Sequence, residues 1–381
     1  MADNALTAAR NGGTSFTGQV LHVVSAQVAA RWAPMLRQTL WALAESGIRE
    51  VLVTEDSDLP TALADTDVEI QRVDRLSGLR GWRLGAFLTR RTASPPAVIH
   101  MWGTDGLGWV RWWADRRGIP VLIYALDAPQ AESLAGRKLG ATHHVAVAAA
   151  PILDAVTPRT ARTPATWQHV PPAVALPFPS TEMPDGPRTL SVLCTSGLGD
   201  LAGLQVLIDA VAQLRGNGFD VQCVIVGDGA RPAALWQRIH AHRIGACCVV
   251  IDEPALWEKG LPGADVCVVP GPQRELWLTP LLAMGLGKLV IAARNQVAEW
   301  FIEGETAWQF TPRSSEELAY LLSRAIEQPR QLRQIQNSAR EYFDAHHSVH
   351  ELVNRLVAAY NAALTSAAAV TEKARVHHNG A

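Results

Sequence analysis

Short, continuously apolar segments alternate along this chain with longer amphipathic ones, and this alternation limits the fold more than any other feature. Residues 20–24 form one such segment, apolar except for His22. Apolar residues at helical spacing follow, including Trp32, Leu36 and Leu40, and then Gly47. Unbroken apolar runs of this length are typical of parallel strands that are buried on both faces. The repeated strand–helix pattern therefore predicts an α/β fold with doubly wound sheets.

The length of the chain predicts two domains. A chain of 381 residues, 48% of them hydrophobic, can build two packed cores. A Pro-rich stretch at 171–188 can continue neither a helix nor a central strand, so we expect the boundary there. The expected segments are a flexible N-terminal tail at 1–16, a first domain at 17–180, a second domain at 181–346 and a disordered tail at 367–381.

Composition argues against several classes of protein. The net charge of −2 gives no basic field for nucleic acid, so no nucleic-acid partner is expected. The chain begins without a basic segment followed by an apolar one, and no apolar run is long enough to span a bilayer. These features predict a cytoplasmic protein. Its five cysteines lack the C-x-x-C spacing of metal or redox sites, and we expect free core thiols at Cys194, Cys223, Cys247, Cys248 and Cys267.

The second half contains a series of short motifs in a fixed order. They are Val-Ile-Val-Gly-Asp-Gly at 224–229, Ala-Asp-Val-Cys-Val-Val-Pro at 264–270, Ala-Met-Gly-Leu-Gly-Lys-Leu-Val at 283–290 and Glu-Trp-Phe-Ile-Glu-Gly at 299–304. Together with the glycine turn at 196–207, their order and spacing resemble the nucleotide-binding half of the group 1 (family 4) retaining glycosyltransferases. The resemblance extends over residues 190–360, and the first half is similar only around residues 117–121.

The resemblance implies a GT-B fold, in which two Rossmann-like domains face a central cleft. It implies a nucleotide-sugar donor bound by the second domain and a saccharide or lipid-linked acceptor bound by the first. A terminal helix at 347–366 would cross back onto the first domain. The implied reaction retains anomeric configuration and needs no metal or other cofactor, because the nucleotide-sugar is itself the substrate.

The donor-binding charges of the family are missing at the matching positions. Gly197 and Ala202 stand where the family has an Arg and a Lys, and Arg274 and Leu282 stand where it has a spaced pair of glutamates. Glu275 is the candidate to replace the lost catalytic carboxylate. We hypothesise that Arg274 supplies the positive charge for the phosphates, the alternative being a solvated loop arginine.

Other donor candidates follow strands or open a helix. Gly227, Asp228 and Gly229 end a strand and either contact the nucleotide or form a tight turn. Thr279 and Pro280 open a helix whose backbone donors remain available to a pyrophosphate.

The acceptor candidates follow two strands of the first half. Leu126 occupies the position of a family His, and the next residue, Asp127, either contacts sugar hydroxyls as a catalytic-site residue or caps a helix. His100, Trp102 and Gly103 are expected at the rim of the cleft and would bind the acceptor. The alternative for His100 is a structural, partly buried histidine.

Two further groups of residues have a functional and a structural interpretation. Arg and Trp residues at 79–91 and 109–117 either face an anionic membrane, which would place the protein at the inner membrane surface, or belong to an amphipathic helix with its rings in the core. The adjacent pairs His143-His144 and His346-His347 lack the spacing of metal ligands on one helix face, so we expect structural or surface residues and no metal site.

Two functions stay open from the sequence. One is a sugar-nucleotide-dependent glycosyltransferase. The other is a catalytically inactive protein of the same fold that acts as a binding or scaffolding partner in glycan or envelope biosynthesis. A dinucleotide-dependent oxidoreductase is disfavoured because no G-x-G-x-x-G run follows the first strand.

Overall fold

The computed structural model describes residues 16–55, 68–73, 76, 95–161, 163–176, 189–196, 201–227, 233–251, 260–271, 276–294 and 297–379. The chain forms two compact units. The first comprises Met1–Ala175 and His347–Ala381, and the second comprises Leu176–His346. The division after Ala175 lies within the Pro-rich stretch, slightly before residue 180.

The described strands form two sheets in which all pairings are parallel. The first sheet contains β1 (Gln19–Val24), β2 (Arg49–Glu55), β3 (Glu69–Val73), β4 (Val98–Trp102), β5 (Val121–Ala125), β6 (His143–Val147) and β7 (Thr166–His169), in the order β3-β2-β1-β4-β5-β6-β7. The second contains β8 (Leu190–Thr195), β9 (Val221–Val226), β10 (Cys248–Ile251), β11 (Val266–Val269), β12 (Leu289–Ala293) and β13 (Trp308–Phe310), in the order β10-β9-β8-β11-β12-β13. Each order reverses once, beside the first strand of its unit, which confirms the doubly wound α/β fold.

Helices connect the strands and cover both faces of each sheet. The first unit contains α1 (Ala26–Glu45), α2 (Leu107–Asp115), α3 (Ala128–Ala135) and α4 (Ala150–Thr160). The second contains α5 (Leu201–Gly216), α6 (Ala233–Ala241), α7 (Leu278–Gly285), α8 (Ser315–Glu327) and α9 (Pro329–His346). The last helix, α10 (Val349–Asn379), belongs to the first unit, where it packs on α1 and on β4, β5 and β6.

The C-terminal end of the chain differs from the expectation. Residues 367–381 are expected to form a disordered tail, but α10 continues to Asn379, so this prediction is wrong for 367–379. The segment is rich in alanine and contains no glycine or proline before Gly380, and it therefore has the composition of a helix.

The two faces of the second sheet are covered by different helices. One face packs into a hydrophobic cluster with side chains of α5, α6 and α8, and Cys194 of β8 belongs to this cluster. The other face carries α7, which packs on β11 and β12 and against α9. This arrangement follows from the reversal in strand order, because right-handed crossovers in opposite directions place their helices on opposite faces.

Polar side chains lie in the interior of the first unit, next to α10. Trp102 Nε1 donates to His22 Nδ1 at 3.1 Å, and His22 Nε2 lies 2.8 Å from Glu50 Oε1. His100 is in register with His22, and its Nδ1 lies 2.7 Å from the hydroxyl of Tyr360 on α10. This contact ties the terminal helix to the sheet.

Burial makes these histidines sensitive to acid. Burial lowers the pKa of His100 well below its usual value, and the nearby His22 adds to the effect. Burial also lowers the pKa of His144 in β6, with a smaller contribution from His143. Both rings therefore stay neutral in the folded protein, whereas an unfolded chain protonates near pH 6.5. Their contribution to stability is present above that pH and is lost as the pH falls below it. Glu50 has the opposite effect on the pH dependence of stability. Burial raises the pKa of its carboxyl group, so this group binds a proton more readily in the folded protein than in the unfolded chain.

We expect His144→Leu to reduce the decrease in the free energy of unfolding at acidic pH. Neither ring nitrogen of buried His144 has a hydrogen-bond partner in the described part of the chain, so an apolar side chain of similar size should raise the free energy of unfolding by about 1 kcal/mol at pH 7.5. The gain should increase as the pH falls to about 5.5, because the unfolded variant binds one proton fewer. Urea denaturation across this range measures both effects. His350→Gln, at an exposed position on α10, is the control, and an identical pH slope in His144→Leu and wild type would contradict the account.

Candidate functional site

The carboxyl edge of the second sheet brings together the ends of several strands. β8 and β11 are neighbours at the point where the strand order reverses, and open α/β sheets bind ligands outside the carboxyl ends of their strands at this point. Thr195 ends β8, Gly227 follows β9, and Pro270 and Gly271 follow β11. The edge is therefore the candidate site of the second unit.

Helix α7 presents its N-terminus after β11. Its N-cap residue is Trp277, which has an extended backbone (φ −121°, ψ 135°) and makes no side-chain capping hydrogen bond. The first N–H groups of a helix lack partners within the helix and carry the positive end of its dipole. Thr279 and Pro280 lie in the first turn and are buried, so they shape this terminus, and the helix begins one residue before Thr279, at Leu278.

Of the predicted donor residues, Gly227, Thr279 and Pro280 lie in the described structure. The buried Gly227 N–H donates to Ile251 O at 3.1 Å, which extends the pairing of β9 with β10 to the edge. Gly197, Asp228, Gly229, Arg274 and Glu275 lie outside the described residues. At the positions of the missing family charges, Ala202 is exposed and Leu282 is fully buried in the core.

Two charged residues of the motifs that resemble the family lie at the opposite edge of the sheet. Asp265 Oδ2 accepts from Ser191 N at 2.8 Å at the amino ends of β11 and β8. Lys288 Nζ donates to Pro262 O at 2.9 Å before β12. These two side chains stabilise the sheet and the loops at its amino edge, away from the candidate site.

Arg294 follows β12 at the carboxyl edge, where the sequence had not indicated a cation. Its guanidinium donates to Thr311 Oγ1 at 2.9 Å and to Glu317 Oε1 at 3.2 Å. Hydrogen bonds from Thr311 and the charge of Arg294 lower the pKa of Glu317. Arg294 is therefore held by a carboxylate that offsets its charge.

The same interaction shapes the N-terminus of α8. Ser314 caps the helix, and its Oγ accepts from Glu317 N at 3.1 Å. The Glu317 carboxylate bonds to Thr311 N at 2.6 Å instead of reaching back to Ser314 N. The acidic residue therefore joins the loop after β13 to the helix.

In the first unit the N-terminus of α1, the helix after the first strand, is already occupied. Ser25 Oγ accepts from Val28 N at 3.4 Å, and Glu55, at the end of β2, accepts from Ala26 N at 3.2 Å. A carboxylate thus occupies the place that a phosphate takes at the first helix of a nucleotide-binding sheet. Its negative charge disfavours a phosphate at the N-terminus of α1.

His100 and Trp102 do not lie at an accessible rim. Their side chains are 0% and 1% exposed, in stacked contact with a centroid distance of 4.4 Å. Both are held by the buried contacts to Tyr360 and His22, so an acceptor cannot reach them in this conformation. The expectation of acceptor contact at these two residues is corrected accordingly, and the structural alternative accounts for both.

Gly103 lies where β4 ends and has a backbone that favours glycine (φ +91°). A Cβ at this position would lie 3.3 Å from both Gln130 Nε2 and Val28 Cγ2. Gln130 also accepts from Leu126 N at 2.9 Å, so its side chain bridges the ends of β4 and β5. The sequence carried no signal for Gln130, whose role depends on the approach of two distant segments.

Asp127 is the N-cap of α3. Its Oδ1 accepts from Gln130 N at 2.9 Å, and the residue is 8% exposed. Asp127 therefore caps a helix, which is the structural alternative for this residue. A contact with acceptor hydroxyls stays a prediction.

We expect Asp127→Ala to lower the free energy of unfolding by about 1 kcal/mol, because the alanine leaves Gln130 N without its cap. Asp127→Asn keeps a capping oxygen and should stay close to wild type. Chemical denaturation of the three proteins at pH 7.5 measures the difference. Equal stability of the alanine and asparagine variants would show that the cap contributes nothing.

Within the described residues, no group of three or more His, Cys, Asp or Glu is arranged to hold a metal ion. No described helix has both the length and the apolar character that crossing a bilayer requires.

The family model for group 1 glycosyl transferases matches residues 189–328. No curated protein matches the sequence significantly. The fold is similar to a glycosyltransferase from Rickettsia africae ESF-5, with a TM-score of 0.72 at 15% identity over 92% of this chain and 99% of that one. It is also similar to Anabaena HepE in complex with UDP and glucose, with a TM-score of 0.72 at 17% identity over 90% and 98%. A third neighbour is sucrose-phosphate synthase from Thermosynechococcus elongatus, with a TM-score of 0.70 at 18% identity over 90% and 98%.

Identities this low establish the fold, and the family match establishes the relationship of the second unit. The matched residues run from β8 to the end of α8 and include the whole candidate site. The second unit is therefore a group 1 glycosyltransferase domain, in a chain that has the fold of the GT-B glycosyltransferases.

Proposed function

We propose that the protein transfers a sugar from a nucleotide-sugar donor and that the donor diphosphate binds at the carboxyl edge of the second sheet. The observation that carries this proposal is the N-terminus of α7, which follows β11 at the reversal of strand order and whose N-cap residue, Trp277, makes no side-chain capping hydrogen bond. Backbone N–H groups in this position are a ready anion site. HepE, which shares the fold, binds UDP and UDP-glucose.

The N-terminus of α1 is an unfavourable place for the diphosphate, because Ser25 and Glu55 already bond to its first N–H groups. The counterpart of α7 in the first unit is α2, which follows β4, and its N-cap residue Gly106 likewise makes no side-chain capping hydrogen bond. The family match to the second unit therefore favours that unit for the nucleoside diphosphate. The first unit is left for the acceptor, a saccharide or a lipid-linked sugar, with Asp127 and Gly103 as the candidate contacts.

The chemistry requires stabilisation of the leaving diphosphate. As the bond from the anomeric carbon to the phosphate oxygen breaks, negative charge accumulates on the phosphates, and the N–H groups of α7 would stabilise it. Arg274 and Glu275 both lie outside the described residues. Arg274 would add a positive charge beside the phosphates, and Glu275 would act as the catalytic carboxylate at the donor sugar. The family relationship supports retention of configuration and transfer without a metal, and both remain part of the proposal.

A non-catalytic binding protein of the same fold is the second candidate function. The observation in its favour is the loss of family charges, with Ala202 exposed and Leu282 buried in the core. Release of labelled sugar from UDP-, GDP- or ADP-sugars, with or without an acceptor, separates the two. Nucleotide binding without turnover would favour the binding protein.

We expect one of UDP, GDP or ADP to stabilise the protein in a thermal-shift screen. A ligand at 100 times its dissociation constant stabilises the folded state by about 2.7 kcal/mol. Absence of any shift at millimolar nucleotide would contradict the proposal.

Two substitutions at the N-cap of α7 test where the nucleotide binds. Trp277→Asn and Trp277→Asp both remove the ring and both supply a capping oxygen, but only the aspartate adds a negative charge. The two variants should be about equally stable, and the aspartate should bind the nucleotide at least about tenfold more weakly because it competes with the phosphates. Equal affinities, measured by titration calorimetry, would place the phosphates elsewhere.

Peripheral membrane contact through α2 is a further part of the proposal. Trp112 is 44% exposed, and the Arg116 guanidinium carbon lies 4.6 Å from its ring centroid, whereas Trp109 and Trp113 are buried. An exposed ring beside a cation suits the boundary of an anionic bilayer. This contact would place the protein at the cytoplasmic surface of the inner membrane, close to a lipid-linked acceptor.

We expect Trp112→Ala to reduce co-sedimentation with vesicles that contain anionic lipid, while Trp41→Ala has no effect. Trp41 is the matched control because it is also an exposed tryptophan but lies on α1. Equal losses in the two variants, or none in either, would refute contact through α2.

A further inference from the structure

Thr195, the last residue of β8, has a buried hydroxyl that no described group satisfies. The residue is 4% exposed, and its Oγ1 has no hydrogen-bond partner in the described part of the chain. Leaving such a group unpaired costs about 1–3 kcal/mol, and most buried hydroxyls in folded proteins are paired. The position therefore calls for a partner that the described residues do not supply.

The strand directs this side chain toward the face that carries α7. Successive side chains of a strand point to opposite faces, and the preceding residue, Cys194, packs into the cluster with α5, α6 and α8. Thr195 consequently points to the other face, on which α7 packs over β11 and β12.

Thr195 also lies at the same edge of the sheet as the N-terminus of α7. Cys194 is in register with Val268 of β11, so Thr195 lies beside the end of that strand, where the chain continues to Pro270 and then to α7. The hydroxyl and the N-terminus of α7 thus share one edge and one face of the sheet, at the reversal of strand order.

We propose that Thr195 Oγ1 donates a hydrogen bond to the diphosphate of the donor, beside the first N–H groups of α7. This inference rests on the proposed function and specifies how the anion is held at that site. A hydroxyl on a rigid strand provides a pre-oriented neutral donor, which suits a site where Gly197 and Ala202 replace two cations. Thr195 would then be a binding residue that determines affinity for the diphosphate.

A buried, unpaired hydroxyl alone does not define a site, as Thr54 shows. Thr54 lies near the carboxyl end of β2 in the first unit, is fully buried, and its Oγ1 also has no partner among the described residues. It lies away from the reversal of strand order, and the next residue, Glu55, occupies the N-terminus of α1. Thr54 is therefore a matched control with the same chemistry and no expected ligand.

The test compares Thr195→Val, Thr195→Ser and Thr54→Val by titration calorimetry with UDP, GDP, ADP and their nucleosides. Valine keeps the shape and removes the hydroxyl. We expect Thr195→Val to be at least as stable as wild type and to bind the nucleoside diphosphate about tenfold more weakly, with nucleoside binding unchanged. Thr195→Ser, which keeps the hydroxyl, and Thr54→Val should both retain wild-type affinity.

Wild-type affinity in Thr195→Val would overturn the inference, and so would an equal loss of affinity for the nucleoside. A marked loss of stability in Thr195→Val would also overturn it, because the protein itself would then be using the hydroxyl. These results differ from failure of the proposed function, in which the wild-type protein binds none of the nucleotides and the inference fails with it.

Discussion

Coverage of both sheets by helices is the constraint on which the rest of the structure depends. Strands that are buried on two faces must be apolar along almost their whole length, and the continuous apolar runs of the sequence follow from this requirement. Polar chemistry is thereby confined to the strand ends and the loops beyond them. The reversal of strand order at β8 and β11 then opens one place on the second sheet where helices diverge and a ligand can approach the backbone.

The two units share one strand order, and in both units the helix after the reversal begins without a side-chain hydrogen bond from its N-cap residue. These N-cap residues are Gly106 before α2 and Trp277 before α7. In the first unit a serine and a glutamate bond to N–H groups at the start of α1. In the second unit the N–H groups at the start of α7 are those that the proposed function assigns to the diphosphate.

Much of the fold could be predicted from the pattern of residues, because long-range order in a doubly wound sheet follows from local alternation. Strands whose apolar pattern is interrupted or short are harder to recognise in the sequence. β6 begins with His143 and His144, and β13 has only three residues. The helical continuation of α10 is hard to predict because its last residues are polar, although their composition favours a helix.

The candidate site was harder to predict because its features depend on three-dimensional surroundings. His100 and Trp102 have side chains that often bind ligands, yet pairing across β1, β4 and α10 buries both. Thr195 carries no recognisable motif, and only its burial, its strand position and the helix opposite make it a candidate. The charged residues Asp265 and Lys288, prominent in the family-like motifs, bond to the backbone at the other edge.

Hydrogen–deuterium exchange with and without a saturating nucleoside diphosphate tests most directly whether the second unit carries the donor site. The account predicts that protection is strongest in peptides containing the end of β8, Gly227, Pro270 and the first turn of α7. Peptides with the amino-edge residues Asp265 and Lys288, and those with the start of α1, should exchange as in the free protein. Protection centred on Ser25 and Glu55 in the first unit, with no change at α7, would contradict the account.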